Sequence, residues 1–346
     1  MSLIYLLLPD NFRKKSMYLS LIIPVYNRPG EVKELLDSLT AQTAADFEVI
    51  IVEDGSDVKC EDIVKAYSNK LPVTYYYIPN RGPGLARNYG AAKAGGEYLI
   101  VLDSDCILPP DYIKSLCKEI QATNADAFGG PDKASDSFTN IQKAINYSMT
   151  SFFTTGGIRG GGKKLDKFYP RSFNMGIRRS VFEELGGFSK MRFGEDIDFS
   201  IRIYKAGYKV SLFPSAWVYH KRRTDWRKFY KQVYNSGIAR INLFMKHPES
   251  LKLVHLLPAA FTLGVLLLLA GSVFCVWSLT PLLLYAVIVC TDSAIRNKSL
   301  PVGILSIPSS YIQLIGYGCG FLSAVWHRLI CKKGGEFSAF QKNFYK

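Results

Sequence analysis

The run Glu97-Tyr98-Leu99-Ile100-Val101-Leu102 stops at Asp103-Ser104-Asp105. An unbroken apolar stretch rich in branched residues reads as a strand covered on both faces, as in a parallel sheet. Parallel strands need crossover connections, so the chain around it must alternate strands with helices. In such sheets ligands collect beyond the carboxyl ends of the strands, which places Asp103 and Asp105 at the rim of a crevice. Two carboxylates there can hold a hard divalent ion, Mg²⁺ or Mn²⁺. Taken alone, the triplet serves equally well as a helix cap or a turn.

The required alternation is present. Strands are expected at 18–24, 47–52, 73–78 and 97–105, and helices at 31–39, 62–67, 85–94 and 110–121. The first helix carries Val32, Leu35, Leu36 and Leu39 at helical spacing. Three strands end in polar signatures, Tyr26-Asn27, Asp54-Gly55-Ser56 and Asp103-Ser104-Asp105, and should meet on one edge of the sheet. No GxGxxG follows the first strand and no GxxxxGK[ST] occurs, which weighs against a dinucleotide fold and a P-loop. Further on come a helix at 141–153, a basic glycine-rich loop at 156–164, and strand-like sequence at Phe173-Asn174-Met175-Gly176. The loop reads as a surface segment in preference to a lid over phosphates. A helix at 179–185 closes on Gly186-Gly187, and another opens at Gly194-Glu195-Asp196-Ile197-Asp198. The helix dipole accounts for an acidic residue in a first turn. Three within four residues exceed what capping needs, and point to a cation or a proton transfer.

The 346 residues leave room for one large domain or two. Lys and Arg number 43 against 29 Asp and Glu, a formal charge of +14 that calls for an anionic partner: nucleic acid, nucleotide phosphates or anionic lipid. Seven cysteines without a CxxC pair argue for a reducing compartment, and four histidines without HExxH offer no zincin site. The apolar run in residues 1–10 lacks the flanks of a signal peptide and is too short to span a bilayer. A start at Met17, after Arg13-Lys14-Lys15, would lose nothing assignable.

Residues 225–244 mix Trp226, Phe229, Tyr230 and Tyr234 with Arg227, Lys228, Lys231 and Arg240, the composition of a helix lying on an anionic membrane; a solvated helix docked on the α/β domain fits nearly as well. Residues 253–277 contain no Asp, Glu, Lys or Arg and are long enough to cross a bilayer. After Ser278-Leu279-Thr280-Pro281, a shorter apolar run at 282–290 completes a hairpin. The segment 304–325 is apolar but carries Pro308, Ser309, Ser310 and Gln313. Positive charges follow both the hairpin (Arg296, Lys298) and this segment (Arg328, Lys332, Lys333), so both groups should be cytoplasmic. That favours a hairpin plus an interfacial or re-entrant segment over a third crossing. The expected organisation is an α/β domain at 17–222, an amphipathic interfacial helix at 223–250, a membrane region at 251–331 and a basic tail at 332–346.

Five segments in order, Ile22-Ile23-Pro24-Val25-Tyr26-Asn27, Val52-Glu53-Asp54-Gly55-Ser56, Gly84-Leu85-Ala86-Arg87-Asn88, Asp103-Ser104-Asp105 and Gly194-Glu195-Asp196-Ile197-Asp198, resemble family-2 glycosyltransferases of the GT-A fold. The resemblance spans residues 18–235. It implies a Rossmann-like, mostly parallel sheet with flanking helices, followed by C-terminal membrane helices. It also implies a nucleotide-sugar donor, a UDP-sugar in the first place, a divalent metal (Mg or Mn) and inversion at the sugar carbon. By the same resemblance Pro24 and Tyr26 would line the nucleobase pocket, and Asp54 would accept a hydrogen bond from the base. Asp103 would meet the ribose or an outer water of the metal shell, and Asp105 would bind the metal on the diphosphate. Arg87 would orient these carboxylates or neutralise phosphate, its bland alternative being a buried ion pair. Asp196 matches the catalytic base, with Glu195 and Asp198 on the acceptor side. His220, closing the run Ala216-Trp217-Val218-Tyr219, would be a further metal ligand, or only a polar residue ending a strand. The QxxRW signature of processive synthases is missing, and Gln232-Val233-Tyr234-Asn235-Ser236 does not replace it, so single-sugar transfer is expected. The resulting expectation is an enzyme of the inner membrane, facing the cytoplasm. Its partners would be a glycan or lipid-linked acceptor and membrane lipid, with no nucleic acid. The alternatives are a polyprenyl-phosphate sugar synthase and a catalytically silent membrane scaffold; the intact Asp54, Asp103, Asp105 and Asp196 set argues against the scaffold.

Overall fold

A computed structural model describes residues 19–133, 138–156 and 168–339. Within them the chain forms two compact units, 19–133 with 168–221, and 138–156 with 222–339.

The first unit is built on β1 (Leu19–Val25), β2 (Phe47–Asp54), β3 (Val73–Ile78) and β4 (Tyr98–Leu102), parallel neighbours in the order β3-β2-β1-β4. Helices Pro29–Thr40, Glu61–Tyr67 and Pro83–Ala91 make the crossovers. Every residue of β4 is buried, as its apolar run requires. Residues of alternate parity along the strands feed two cores: Leu21, Ile23, Ile100 and Leu102 on one face, Ile22, Leu99 and Val101 on the other. β4 stops at Leu102, and Asp103 to Asp105 form the turn into β5 (Cys106–Ile107). Because the strands run parallel, the three polar strand ends share one edge.

The remaining strands are β6 (Ala127–Gly129), β7 (Asp132–Lys133), β8 (Asn174–Arg178), β9 (Val210–Leu212) and β10 (Val218–His220). β8 inserts antiparallel between β4 and β6, and β9 extends the sheet beside β6. A separate small sheet, β5-β10-β7, pairs His220 with Cys106 and Val218 with Asp132. Its lead-in passes so close to Gly130 that a Cβ there would lie 1.7 Å from the Ala216 carbonyl oxygen.

In the second unit the 26-residue helix Leu300–Val325 is central. Helices Asn140–Thr150, Trp226–Lys246, Leu257–Gly271 and Thr280–Asn297 pack around it. Glycines permit the approach. A Cβ at Gly237 would stand 2.1 Å from the Tyr317 carbonyl oxygen, at Gly320 2.0 Å from that of Tyr234, and at Gly318 2.1 Å from the Thr262 hydroxyl.

The structure adds detail to several of these segments. The segment read as interfacial or re-entrant is one continuous helix that carries Pro308 within it. The helix Trp226–Lys246 buries Phe229, Val233, Ile238 and Ile241, and glycines on both helices bring it against the central one. The second hairpin arm reaches Asn297, since Asp292 has partners in the Tyr147 hydroxyl at 2.7 Å and Arg296 at 3.0 Å. The helix expected at 141–153 breaks at Ser151, whose extended backbone caps the short helix Phe152–Thr155. Leu253–Gly271 and Val276–Asn297 are long and apolar enough to cross a membrane, and expose Leu266, Leu267, Leu283 and Leu284. Readings of residues 1–18, of the basic loop beyond Gly156 and of Lys346 fall outside the described residues.

Candidate active site

The edge of the sheet is fixed by backbone-to-carboxylate bonding. Glu53 is fully buried and accepts from the Ser56 hydroxyl, the Cys60 N–H at 2.7 Å and the Tyr75 hydroxyl at 3.2 Å. Asn27, at a φ of 54°, accepts from the N–H groups of Asp57 and Val58 and so joins the end of β1 to the loop after β2. Asp54 accepts from the Arg81 N–H at 2.7 Å and the Gly82 N–H at 2.9 Å. Burial raises its carboxyl above the usual range, against the pull of those two donors. Each of its oxygens thus already holds a loop in place. Pro24 and Tyr26 stand partly exposed at the same edge.

Beyond β4, Asp103 accepts from Arg87 at 2.8 Å. The same guanidinium reaches Glu195 at 2.7 Å, so Arg87 is a buried ion pair that joins Asp103 to Glu195. Asp105 pairs with Arg28, which the sequence reading assigned only to a turn. His220 Nε2 lies 3.3 Å from Asp105 Oδ1 and 3.9 Å from Asp103 Oδ2. Its ring stacks on Phe173, and its Nδ1 faces Asp132 at 3.9 Å. Adjacent ligands of an octahedral ion about 2.1 Å away stand about 3 Å apart, a spacing that Asp105 and His220 meet at 3.3 Å, whereas Asp103 stands wider of the imidazole. Cys106 also lies within ligand distance of Asp105 and His220, but burial pushes its thiol far up and makes it a poor ligand.

The helix Glu195–Lys205 carries the acidic cluster, and each member has its own arginine. Glu195 pairs with Arg87, Asp196 with Arg171 at 2.7 Å, and Asp198 with Arg202 at 3.2 Å. The repulsion expected from three acids in four residues is therefore answered within the chain, and does not by itself demand a ligand. Asp198 lies about 200° round the helix from Asp196. It is fully buried beside Arg202, which also donates to the Leu185 carbonyl, so the structure does not bring Asp198 to the site. Burial, with the neighbouring Asp196 charge added, raises Glu195 to about 7 against the opposing Arg87. For Asp196 burial acts upward too, but the Arg171 charge and hydrogen bond outweigh it and leave the carboxyl below its ordinary range. Arg28, Arg171, Asp132 and Phe173 escaped the sequence reading. Only Arg28, inside the Tyr26-Asn27-Arg28-Pro29 turn, carried a signal that could have been followed.

Residues 20–186 match the model of glycosyl transferase family 2. The chain is 32% identical over 220 residues to an uncharacterized glycosyltransferase of Haemophilus influenzae, covering 60% of this chain and 70% of that one. It is 26% identical over 265 residues to glycosyltransferase AglE of Haloferax volcanii, covering 72% and 81%. Among solved structures it is similar in fold to a mannosyltransferase of Pyrobaculum calidifontis in complex with GDP-Man and Mn²⁺, with a TM-score of 0.60, 18% identity, and coverage of 91% and 89%. The chain belongs to glycosyl transferase family 2, with the GT-A fold and the activity of a glycosyltransferase.

Proposed function

We propose that this glycosyltransferase is membrane-bound and inverting. It moves one sugar from a nucleotide sugar, a UDP-sugar in the first place, to a hydroxyl of a glycan or lipid-linked acceptor at the cytoplasmic face of the inner membrane. The observation that carries this reading is the bridge by Arg87, which joins Asp103 at the strand end to Glu195 beside Asp196. One guanidinium thereby keeps the donor side and the base side in register, the positioning that displacement at a single carbon needs.

Pro24 and Tyr26 take the nucleobase, and Asp54 fixes the loop beneath it while accepting from the base. Arg28 and Arg87 face the anionic diphosphate. Asp103, Asp105 and His220 would hold the divalent ion, whose chemistry there is to neutralise charge on the leaving diphosphate. Glu195 lines the acceptor side. Asp196 accepts the acceptor hydroxyl proton as that oxygen bonds to C1. The bond from C1 to the diphosphate oxygen breaks, its electron pair leaves with the nucleotide, and the anomeric carbon inverts. The test is a panel of nucleotide sugars offered to the full chain in detergent with Mn²⁺, read by nucleotide release. Release from one donor class is expected; release from none would contradict the reading.

A further inference from the structure

We propose that Arg171 is a positioning residue for the base, holding Asp196 ionised and aiming one of its oxygens at the acceptor. The inference rests on Asp196 being the base, and adds how the fold prepares it. Asp196 Oδ2 accepts from Arg171 Nε at 2.7 Å and from the Ser172 N–H at 3.4 Å, while Oδ1 accepts from the Ile197 N–H at 2.8 Å. A carboxylate offers about four acceptor positions, so these three donors leave one on Oδ1 for a hydroxyl.

Arg171 lies on residues 168–173, the strap that leads into β8, and this strap is itself tied down. The Ser200 hydroxyl, on the helix that bears Asp196, donates to the Pro170 carbonyl at 2.8 Å. The Asn174 N–H donates to the Arg171 carbonyl at 3.0 Å. The backbone at Arg171 is thereby anchored between that helix and β8, within reach of Asp196. The charges facing Asp196 are Arg171 from the strap, Glu195 on its own helix and Arg87 from the helix Pro83–Ala91; Arg171 in turn feels Glu195 and Asp132.

The consequence concerns the acid limb of turnover. A cation beside a carboxylate favours the ionised form, commonly by about one to three pH units. The base then stays ready to accept a proton at a pH where an unpaired buried carboxylate would already hold one. Removing the cation should move the acid limb to higher pH.

The experiment compares pH profiles of kcat for wild type, Arg171→Gln, Arg171→Lys and Asp196→Asn, with donor binding measured by calorimetry on each. Arg171→Gln should shift the acid limb upward by about one pH unit or more. Donor affinity should be unchanged, which also establishes that the variant is folded. Arg171→Lys should bring the limb back, because a lysine restores the charge. An unmoved limb in Arg171→Gln, or a lysine variant that fails to restore it, would overturn the proposal while leaving the base reading intact, provided Asp196→Asn has lost about a hundred-fold or more in turnover. Normal turnover in Asp196→Asn would overturn the base reading itself.

Discussion

Among residues, the carboxylates past β4 and on the acidic helix turn are met by cations from distant parts of the chain. Arg28 comes from the first turn, Arg87 from the third crossover helix and Arg171 from the strap before β8. Asp105 has the most to do, since it accepts from Arg28 while its other oxygen faces His220. Asp105→Ala should remove Mn²⁺-dependent binding of nucleoside diphosphate, read by calorimetry, while the melting temperature holds. Unchanged metal dependence would move the metal elsewhere. The sequence singled out the acids, because carboxylates at strand ends and helix starts are local signals. It did not single out Arg171, because an arginine paired across 25 residues, outside any motif, leaves no local trace.

Among elements, the site depends on a small ladder that no periodicity announces. β5, β7 and β10 are two or three residues long, too short for an alternation to register, yet they bring His220 opposite Cys106 and next to Asp105. The approach needs Gly130, and the Asn174 side chain fastens the Ala216 carbonyl at 2.8 Å. Gly130→Ala should push Ala216 away, carry β10 with it and weaken metal binding about tenfold or more, together with a lower melting temperature from overpacking. A variant with full metal affinity would show that β10 is not what holds His220. The long elements were legible for the opposite reason: β1 to β4 and their helices repeat their apolar positions often enough to be counted. The helix Trp226–Lys246 was legible as a helix but not in its surroundings, because the aromatic composition that suits lipid also suits a neighbouring helix. Gly237, Gly316 and Gly320 mark the face that it packs against the central helix.

Across the whole molecule, one unit is an α/β sheet with its helices and the other exposes a long apolar hairpin. Residues 253–291 contain no Asp, Glu, Lys or Arg, and Lys252 and Arg296 flank them. Hydrophobic insertion, unlike charge attraction, survives salt. Membranes carrying the full chain should therefore retain it through high-salt and carbonate washes; release by salt alone would mean that the basic surface, and not the hairpin, holds it. The central claim is a chemical one, that this fold displaces a nucleotide in a single step with Asp196 as base. Proton NMR of the anomeric signal, followed from the first turnovers before the product can mutarotate, tests it most directly. The account predicts a product of configuration opposite to the donor sugar, and a product that retains the donor configuration would contradict it.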